Sequence, residues 1–480
     1  MDENLEGLEP FLLWKHFDEI RKIPRCSKHE ERIIDYVTSV AGRLGLEYTK
    51  DPAMNVVVRK KATPGHEDAP IVVLQGHVDM VCEKNNDVEF DFSKDPIRLR
   101  KKGEYLYATG TTLGADNGVG VACALAVLED DDLIHGPLEC LFTVDEETGL
   151  TGAFQMGGDL LEGRMMINLD TEEERALYVG CAGGGESNVH LPVKWEAPDG
   201  SPLLIDLHGM KGGHSGVDIH LGRANAIKVL ARILWKVARE HDLYVAKITG
   251  GDKHNAIPRE VKAVIVALDS PSDVKAKVKK AFEEVRFEYR TIEPEMALDL
   301  GDAPMPERAI SLRDSRAVLH MLVSLPHGVQ RMSPDIEDLV ETSTSLAKIR
   351  TEDDVYVQLA SRSSSDTQLE ALRDRIEAIA VLSGGKAERT QPYPGWLPDL
   401  DSKVLEKLKE SATELWGKKP EIKAIHAGLE TGIIGEKFPG MDMASIGPQI
   451  ENPHSPDERV RIPSVSDFYD LLALCLKKLA

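Results

Sequence analysis

The chain has 480 residues, more than one hydrophobic core normally organises, so we expect two or three domains. It carries 58 Lys and Arg against 81 Asp and Glu, and the resulting net charge of −23 argues against a general binder of nucleic acids or anionic membranes. A hydrophobic content of 42% and a charged content of 29% are typical of a folded globular protein.

The sequence also predicts a cytoplasmic protein. No apolar run approaches the roughly 18–20 residues that span a bilayer, and the acidic N-terminus lacks the basic and apolar segments of a secretory signal. The six cysteines lie far apart and include no CxxC pair, which is typical of reduced, mostly buried thiols. We expect Cys82 to be such a buried side chain and not a catalytic thiol.

Short apolar strands alternate with helices in the first part of the chain. Residues 71–76, 138–144 and 165–169 have the composition of strands covered on both faces, and the Ala-rich segment 118–128 suits a buried helix. This alternation predicts an α/β architecture around a largely parallel sheet.

Two breaks divide the chain. The glycine-rich stretch Gly180–Gly185 is interpreted as a hinge or domain boundary, because no Gly-Lys-Ser/Thr sequence of a phosphate loop follows it. The proline-rich stretch Gln391–Pro398 marks the second boundary. Between them the sequence predicts strands at 203–208, 261–268, 317–325 and 355–359, and helices at 223–240, 273–289 and 367–382.

After the second break the pattern returns to the style of the first part, with helices at 402–415 and from Ser466. We therefore predict an α/β catalytic domain with a mixed, largely parallel sheet, formed by residues 1–184 and 397–480. An inserted α+β lid domain at 185–396 interrupts it.

Histidine and carboxylate side chains cluster near the predicted strand ends of the first domain, where open α/β sheets build their sites. Each alone could be a turn residue, a helix cap or a solvated charge. Together they offer imidazole and oxygen donors, a set that suits zinc, cobalt or manganese. The residues are His77, Asp79, Asp116, Glu146, Glu147 and Asp170, with His454 in a loop of the returning segment.

Two of these residues, His77 and Asp79, are two positions apart on an extended segment and therefore share a face. A ligating imidazole usually donates its other N–H to a carboxylate, so we expect Asp79 to orient His77.

These motifs resemble the M20 family of di-zinc metallopeptidases, in the same order and over essentially the whole chain. Within that family the chain is most similar to the aminoacyl-histidine dipeptidases, through segments 208–216, 250–258 and 426–430. The segments that carry the family resemblance are Gly-His-Val-Asp at 76–79, Gly-Ala-Asp-Asn-Gly at 114–118, Asp-Glu-Glu-Thr-Gly at 145–149, Asn-Leu-Asp at 168–170 and Pro-His-Ser at 453–455.

The resemblance implies two Zn²⁺ per chain, with Co²⁺ or Mn²⁺ as substitutes. One ion would be held by His77, Asp116 and Asp170. The other would be held by Asp116, Glu147 and His454, so that Asp116 bridges the two ions.

The adjacent pair Glu146 and Glu147 suits a division of roles, because neighbouring side chains diverge. We interpret Glu147 as the ligand and Glu146 as the general base that takes a proton from the attacking water; the reverse assignment stays open. The resemblance also implies a cis peptide bond between Asp116 and Asn117.

Three residues of the inserted domain and Gly428 of the returning segment complete the expected site. The resemblance implies His214 as a donor to the developing oxyanion, and Asn255 and Arg362 as substrate-binding residues. Arg362 offers a planar fork to a carboxylate, although a surface arginine near a strand end stays an alternative. Gly428 would let a backbone group approach the ligand closely.

The predicted function is a metal-dependent dipeptidase acting on Xaa-His and related dipeptides such as carnosine, and the histidine preference depends on the resemblance alone. Two alternatives stay open: an M20 amidohydrolase or deacylase of N-acyl amino acids, and a catalytically silent binding protein. The intact set of predicted ligands argues against the silent protein. We expect a dipeptide as partner and neither nucleic acid nor membrane. Homodimers are common in the family, but the residues do not require one.

Overall fold

The computed structural model describes residues 1–480 and divides into two compact units. The second unit is an insertion into the first, and a short later segment of the chain also belongs to it. Unit 1 comprises Met1–Gly180, Trp396–Ala424 and Leu429–Ala480, and unit 2 comprises Cys181–Gly395 and Ile425–Gly428.

Twelve helices and twenty-five strands make up the two units. The helices are α1 (Phe11–Ile20), α2 (Glu31–Leu44), α3 (Ala115–Glu129), α4 (Glu146–Gly149), α5 (Thr151–Gln155), α6 (Ala226–Ala238), α7 (Pro271–Tyr289), α8 (Leu312–Ser324), α9 (Asp366–Leu382), α10 (Lys403–Trp416), α11 (Glu430–Lys437) and α12 (Ile462–Leu479). The strands are β1 (Glu47–Lys50), β2 (Val56–Lys60), β3 (Val72–His77), β4 (Leu99–Lys102), β5 (Tyr105–Ala108), β6 (Leu138–Thr143), β7 (Met165–Asn168), β8 (Ala176–Cys181), β9 (Gly183–Pro192), β10 (Trp195–Glu196), β11 (Ser201–His208), β12 (Gly213–His214), β13 (Leu243–Gly250), β14 (Ala256–Ile257), β15 (Val261–Ala267), β16 (Ala297–Asp302), β17 (Ala309–Ile310), β18 (Gly328–Met332), β19 (Val340–Thr351), β20 (Asp354–Ser363), β21 (Lys386–Arg389), β22 (Glu421–Ile425), β23 (Asp442–Ser445), β24 (Ile450–Glu451) and β25 (Arg459–Arg461). None of the helices combines the length and apolarity needed to cross a bilayer.

Unit 1 is built around an eight-stranded sheet in the order β1-β2-β6-β3-β7-β23-β8-β22. Strands β6, β3, β7 and β23 run parallel to one another, whereas β2 pairs with β6, and β8 with β23, in antiparallel fashion. Strands β3 and β6 are buried along their whole length, as apolar strands covered on both faces should be. The predicted α/β class with a mixed, largely parallel sheet is confirmed.

Helix α3 packs against β3 and α1. Its Ala- and Val-rich sequence has no polar face, and all but its last residue is buried. A smaller antiparallel sheet, in the order β24-β25-β5-β4, carries the loop between β24 and β25. These two features position Asp116 and His454.

Unit 2 contains an antiparallel sheet in the order β16-β11-β15-β13-β19-β20-β9-β21, with β18 paired to β19. Helices α6, α7, α8 and α9 contribute apolar side chains to one continuous core with this sheet. Helix α6 begins at an Asn225 cap, whose Oδ1 accepts hydrogen bonds from the N–H groups of Ile227 and Lys228. Unit 2 therefore combines an antiparallel sheet with separate helices, as predicted for the inserted α+β domain.

The strand predicted at 317–325 is wrong, because residues 317–324 form the second half of helix α8. Ser311 caps this helix by accepting a hydrogen bond from Asp314 N. A short apolar run does not distinguish a strand from a buried helix, and here the spacing of the apolar residues buries one helical face. The buried apolar residues are Val318, Leu319, Met321 and Leu322.

The expectation of six reduced thiols is also wrong, because Cys26 and Cys82 form a disulfide with their Cα atoms 5.6 Å apart. A parallel bridge between Cys26 and Met80 places the two segments side by side, a proximity that a sequence separation of 56 conceals. Both paired residues are half-buried. The other four cysteines are buried and lie outside this disulfide.

Candidate active site

The strand order of unit 1 places several predicted residues at one edge of its sheet. His77 is the last residue of β3, and Asp170 follows β7 by two residues. Glu146 and Glu147 begin helix α4, shortly after β6. Because β6, β3 and β7 are adjacent and parallel, their carboxyl ends meet at the same edge.

A first group forms around the imidazole of His77. Its Nε2 lies 3.2 Å from Asp116 Oδ1 and 3.3 Å from Asp170 Oδ1. On the other side of the ring, Nδ1 lies 3.3 Å from Oδ1 of the buried Asp79. Asp79 thus stands where a carboxylate would orient the imidazole.

A second group forms around His454. Its Nε2 lies 2.9 Å from Glu147 Oε2 and 3.2 Å from Asp116 Oδ2. Asp116 therefore directs one carboxylate oxygen to each group, and the possible ligand atoms within each group lie within 4.8 Å of one another.

Both groups fit divalent cations. Ligand atoms placed about 2.0–2.1 Å from a tetrahedral zinc stand about 3.3 Å apart, close to the separations of 3.2 and 3.3 Å around His77 Nε2. The buried oxygens Glu147 Oε1 and Asp170 Oδ1 have no hydrogen-bond partner. Buried carboxylates gathered in this way are unfavourable unless a positive charge compensates them. The residues are thus able to hold metal ions.

Glu146 lies beside these groups. One carboxylate oxygen from each of Glu146 and Glu147 and one ring nitrogen of His77 lie within 4.8 Å of one another. Burial raises the pKa of Glu146 well above its usual range, and the charges of Asp170, Glu430 and Glu147 raise it further against the opposing effect of His77. A carboxyl group of this kind holds a proton more readily than an exposed glutamate does.

Asp79 also fixes the start of helix α4. Its Oδ1 accepts a hydrogen bond from Glu146 N at 3.1 Å, and its Oδ2 accepts one from Glu147 N at 3.2 Å. Ser27 Oγ donates a third hydrogen bond to Oδ2 at 2.8 Å. One buried carboxylate therefore holds the backbone of both glutamates and also lies beside Nδ1 of His77.

Sequence reasoning missed Arg25, a buried arginine that links two loops of the site. Its Nη1 donates to the carbonyl oxygens of Val78 at 3.0 Å and Asp79 at 2.8 Å, and its Nη2 donates to the carbonyl of Gly114. The guanidinium thus ties the segment after β3 to the segment before Asp116.

Glu458 was missed as well. Its Oε2 accepts hydrogen bonds from Leu113 N at 2.7 Å and Gly114 N at 2.8 Å. Its Oε1 accepts from Ala115 N at 2.7 Å and Asp116 N at 3.2 Å. Four consecutive backbone amides are therefore held by one carboxylate, which fixes the chain immediately before the Asp116 side chain.

The peptide bond between Asp116 and Asn117 is cis, as the family resemblance implied. Asn117 Nδ2 donates to Leu169 O at 2.7 Å. A Cβ atom at Gly76 or Gly120 would lie 2.4 or 2.5 Å from Asn117 Oδ1, so both positions must lack a side chain. Packing around Asn117 thus explains two glycines that the sequence left uninterpreted.

A buried carboxyl group, Glu430, lies near the same sheet edge. Its Oε2 accepts hydrogen bonds from Gln75 Nε2 at 2.7 Å and Thr143 Oγ1 at 2.6 Å. Burial, together with the charges of Asp170 and Asp79, raises the pKa of Glu430 to about 8, although His77 and the hydrogen bond from Thr143 oppose the shift. The sequence singled out the segment containing Glu430, but not this residue.

In unit 2, His214 is held in one tautomer. Its Nδ1 accepts hydrogen bonds from Gly216 N at 3.2 Å and Val217 N at 3.0 Å, so we assign the proton to Nε2. Burial lowers the pKa of His214, and the charge of Arg362 lowers it further. His214 therefore presents a neutral N–H donor at pH 7.

The other predicted residues of unit 2 lie close to one another. Asn255 O accepts a hydrogen bond from Ser215 N at 2.8 Å, and Asn255 and Arg362 line the same cavity. Arg362 Nη1 donates to Tyr393 Oη at 2.8 Å. A Cβ atom at Gly428 would lie 2.9 Å from Tyr393 Cε2, so Gly428 also packs beside this arginine–tyrosine pair.

Comparison with known proteins places the chain in a family. Residues 73–478 match the peptidase family M20/M25/M40. The chain is 41% identical to the cytosol non-specific dipeptidase of Escherichia coli K12 over 479 aligned residues. The alignment covers 99% of each protein. It is 40% identical to the aminoacylhistidine dipeptidase of Vibrio alginolyticus, whose crystal structure superposes with a TM-score of 0.93 over 99% of this chain and 98% of that chain. An aminopeptidase from Bacillus cereus shares the fold, with a TM-score of 0.57 and 17% identity over 98% and 99% of the two chains.

The fold and the grouped histidines and carboxylates are therefore those of a peptidase able to bind metal ions. The chain belongs to the M20/M25/M40 family. The predicted M20 membership is confirmed, and the two dipeptidase relatives support the dipeptidase prediction over the deacylase alternative.

Proposed function

We propose that the protein is a dipeptidase that uses two zinc ions sharing Asp116. The observation that supports this most directly is the Asp116 carboxylate, which directs Oδ1 toward His77 and Oδ2 toward His454. His77, Asp116 and Asp170 would hold one ion. Asp116, Glu147 and His454 would hold the other.

Bound ions would lower the pKa of a water molecule and polarise the scissile carbonyl. Glu146, whose carboxylate lies beside both groups, takes a proton from the attacking water and returns it to the leaving amine. Asp79 is a positioning residue, because it accepts hydrogen bonds from the backbone of Glu146 and faces Nδ1 of His77.

Unit 2 supplies groups for binding the substrate. His214 donates its Nε2 hydrogen to the carbonyl oxygen as negative charge develops there. Arg362 binds the C-terminal carboxylate, and its buried Nε, which has no partner within the protein, supports this role. Asn255 and Gly428 help to hold the dipeptide backbone.

The proposed substrates are dipeptides, Xaa-His dipeptides among them. The names of the two relatives, a non-specific dipeptidase and an aminoacylhistidine dipeptidase, support this class. We propose a cytoplasmic location on the same basis, since the Escherichia coli relative is named for the cytosol. A homodimer stays a prediction from the family resemblance.

Hydrolysis of Ala-His, carnosine, Ala-Leu and N-acetyl-histidine by zinc-loaded protein tests the proposal. We expect release of histidine from the first two, and its loss in Glu146→Gln at unchanged zinc content. Glu196→Gln, which changes an exposed carboxylate, is the matched control. Cleavage of N-acetyl-histidine alone would favour the deacylase. No cleavage of any substrate by protein with two bound ions would contradict the function.

A further inference from the structure

A cavity of about 280 Å³ lies within unit 2 beside Arg362. This volume is just below the roughly 300–1,000 Å³ of pockets for drug-sized ligands, so it suits a single amino-acid residue. Glu186, His254, Asn255 and Tyr393 also line it. It therefore combines a cationic group, an anionic group and an aromatic ring within a small space.

The strand register explains why this space is open. In the antiparallel pair β9–β20, Arg362 is opposite Gly184, and Ala360 is opposite Glu186. Opposite residues share a face, as do residues two apart on one strand, so Arg362 and Glu186 lie diagonally across the same face. The other two residues of this group of four, Gly184 and Ala360, are small and leave room between the side chains of Arg362 and Glu186.

The guanidinium of Arg362 is held in place on one side of the cavity. Arg362 Nη1 donates to Tyr393 Oη, whereas its Nε is buried without a partner. A Cβ atom at Gly184 would lie 2.5 Å from Tyr393 Oη, so the glycine allows the tyrosine to occupy this position. The guanidinium is therefore held in place and retains a donor.

The carboxylate of Glu186 is also held in place by hydrogen bonds. Glu186 Oε1 accepts a hydrogen bond from His254 Nδ1, and Oε2 accepts one from Gln358 Nε2 at 2.8 Å. An ionised carboxylate has about four acceptor sites, so two of them are left for a ligand. Glu186 is half-buried, with 23% of its side chain exposed, which strengthens an electrostatic interaction compared with open solvent.

We propose that this cavity receives the side chain of the C-terminal residue of the dipeptide and that Glu186 selects side chains with nitrogen donors, above all imidazole. The proposal rests on the proposed dipeptidase function and on Arg362 as the carboxylate anchor. Diagonal neighbours across two strands have Cα atoms about 7–8 Å apart and somewhat closer Cβ atoms, so one amino acid residue whose carboxylate binds Arg362 can extend its side chain toward Glu186. Leucine and other apolar side chains gain nothing from Glu186.

The ratio of kcat/KM for Ala-His to that for Ala-Leu tests this assignment. In Glu186→Gln we expect this ratio to fall about 10- to 100-fold, because the charged acceptor becomes a neutral amide, which weakens the interaction with histidine but not with leucine. The ratio for Ala-Lys to Ala-Leu should fall in the same direction. Glu196→Gln should leave both ratios unchanged.

Charge reversal gives a second readout. Glu186→Lys should raise kcat/KM for Ala-Glu relative to Ala-His, since the cavity would then carry a positive charge at position 186 as well as at Arg362. Equal losses on all substrates in Glu186→Gln would assign Glu186 a structural role and overturn the proposal. Unchanged ratios in both variants would also overturn it.

Binding of the free amino acids separates this proposal from the dipeptidase function. Calorimetry should show that L-histidine binds wild type more tightly than it binds Glu186→Gln, with a smaller difference for L-leucine. If wild type cleaves no dipeptide but shows this selective binding, the dipeptidase function fails and the subsite stands. If dipeptides are cleaved and L-histidine binds both proteins equally, the subsite fails and the function stands.

Discussion

The carboxylate of Glu458 accepts a hydrogen bond from the backbone N–H of Asp116 at 3.2 Å, although 342 residues separate the two. The same carboxylate also accepts the three preceding amides. It thereby fixes the backbone that carries the carboxylate shared by both histidine groups. The geometry of the candidate metal site thus depends on a residue that is not itself one of the predicted ligands.

Replacement of Glu458 by Gln should weaken zinc binding. The amide side chain keeps one acceptor oxygen and presents a donor to two of the four N–H groups, so the backbone before Asp116 loses its fixed position. Loss of such a supporting contact typically costs about 10- to 100-fold in metal affinity, and competitive chelator titration measures it. Glu104→Gln, which changes an exposed carboxylate paired with Arg461, is the control. Unchanged affinity in Glu458→Gln would contradict this role.

Replacement of Arg25 by Met should destabilise unit 1. The carbonyl groups of Val78 and Asp79 would lose the arginine donor, whereas Gly114 O would keep its hydrogen bond from Gly118 N. Each buried polar group without a partner costs about 1–3 kcal/mol. We therefore expect the free energy of unfolding to fall by about 2 kcal/mol or more, measured by urea denaturation. The matched variant Arg32→Met, at an exposed arginine, should change it little. Equal stability of the two variants would show that Arg25 does not support the loops.

Replacement of Tyr393 by Phe should affect substrate binding more than turnover. The variant removes the acceptor of Arg362 Nη1 and leaves the guanidinium less fixed. The loss of one hydrogen bond predicts a rise in KM of about 2- to 10-fold with a smaller change in kcat. Tyr356→Phe, which removes a hydroxyl that donates to Asn188, is the control. A fall in kcat at constant KM would argue against Tyr393 as a positioning residue.

Stability should depend on pH through buried His16. Burial lowers the pKa of His16 from 6.5 to about 4, and Glu129 opposes the shift. The folded protein therefore binds fewer protons than the unfolded chain between these values, so stability present above pH 6.5 is lost as the pH falls toward 4. The contribution of His16 approaches about 1.4 kcal/mol per pH unit in this window.

Urea denaturation between pH 7 and pH 4.5 measures this dependence. The variant His16→Gln should show a shallower loss of stability on acidification than wild type. His29→Gln, at an exposed histidine, should retain the wild-type slope. Identical slopes in wild type and His16→Gln would contradict the lowered pKa.

Much of the unit 1 fold and the location of its candidate site could be predicted, because the signals are local. Apolar runs predicted β3, β6 and β7, and polar residues just beyond them marked the sheet edge where the structure gathers His77 and the carboxylates. The order of the strands followed from tertiary pairing and could not be read from these runs.

In unit 2, helix α8 was mistaken for a strand because its apolar run is compatible with both structures.

Contacts between distant parts of the chain were not predictable from one sequence. Arg25 donates to carbonyl groups 53 to 89 residues away, and Glu458 binds amides 342 to 345 residues away. Each looks like an ordinary surface charge in sequence. The Cys26–Cys82 disulfide was missed for the same reason, because the bridge to Met80 that brings its halves together forms only in the folded chain.

The number of zinc ions bound per chain, in wild type and in Asp116→Asn, tests the central claim most directly. Metal-free protein titrated with zinc should bind two ions, and Asp170→Asn should weaken one of the two sites. Asp116→Asn should weaken both, because this carboxylate directs one oxygen to each histidine group. A single ion in wild type, or two sites of unchanged affinity in Asp116→Asn, would contradict a pair of ions that share Asp116.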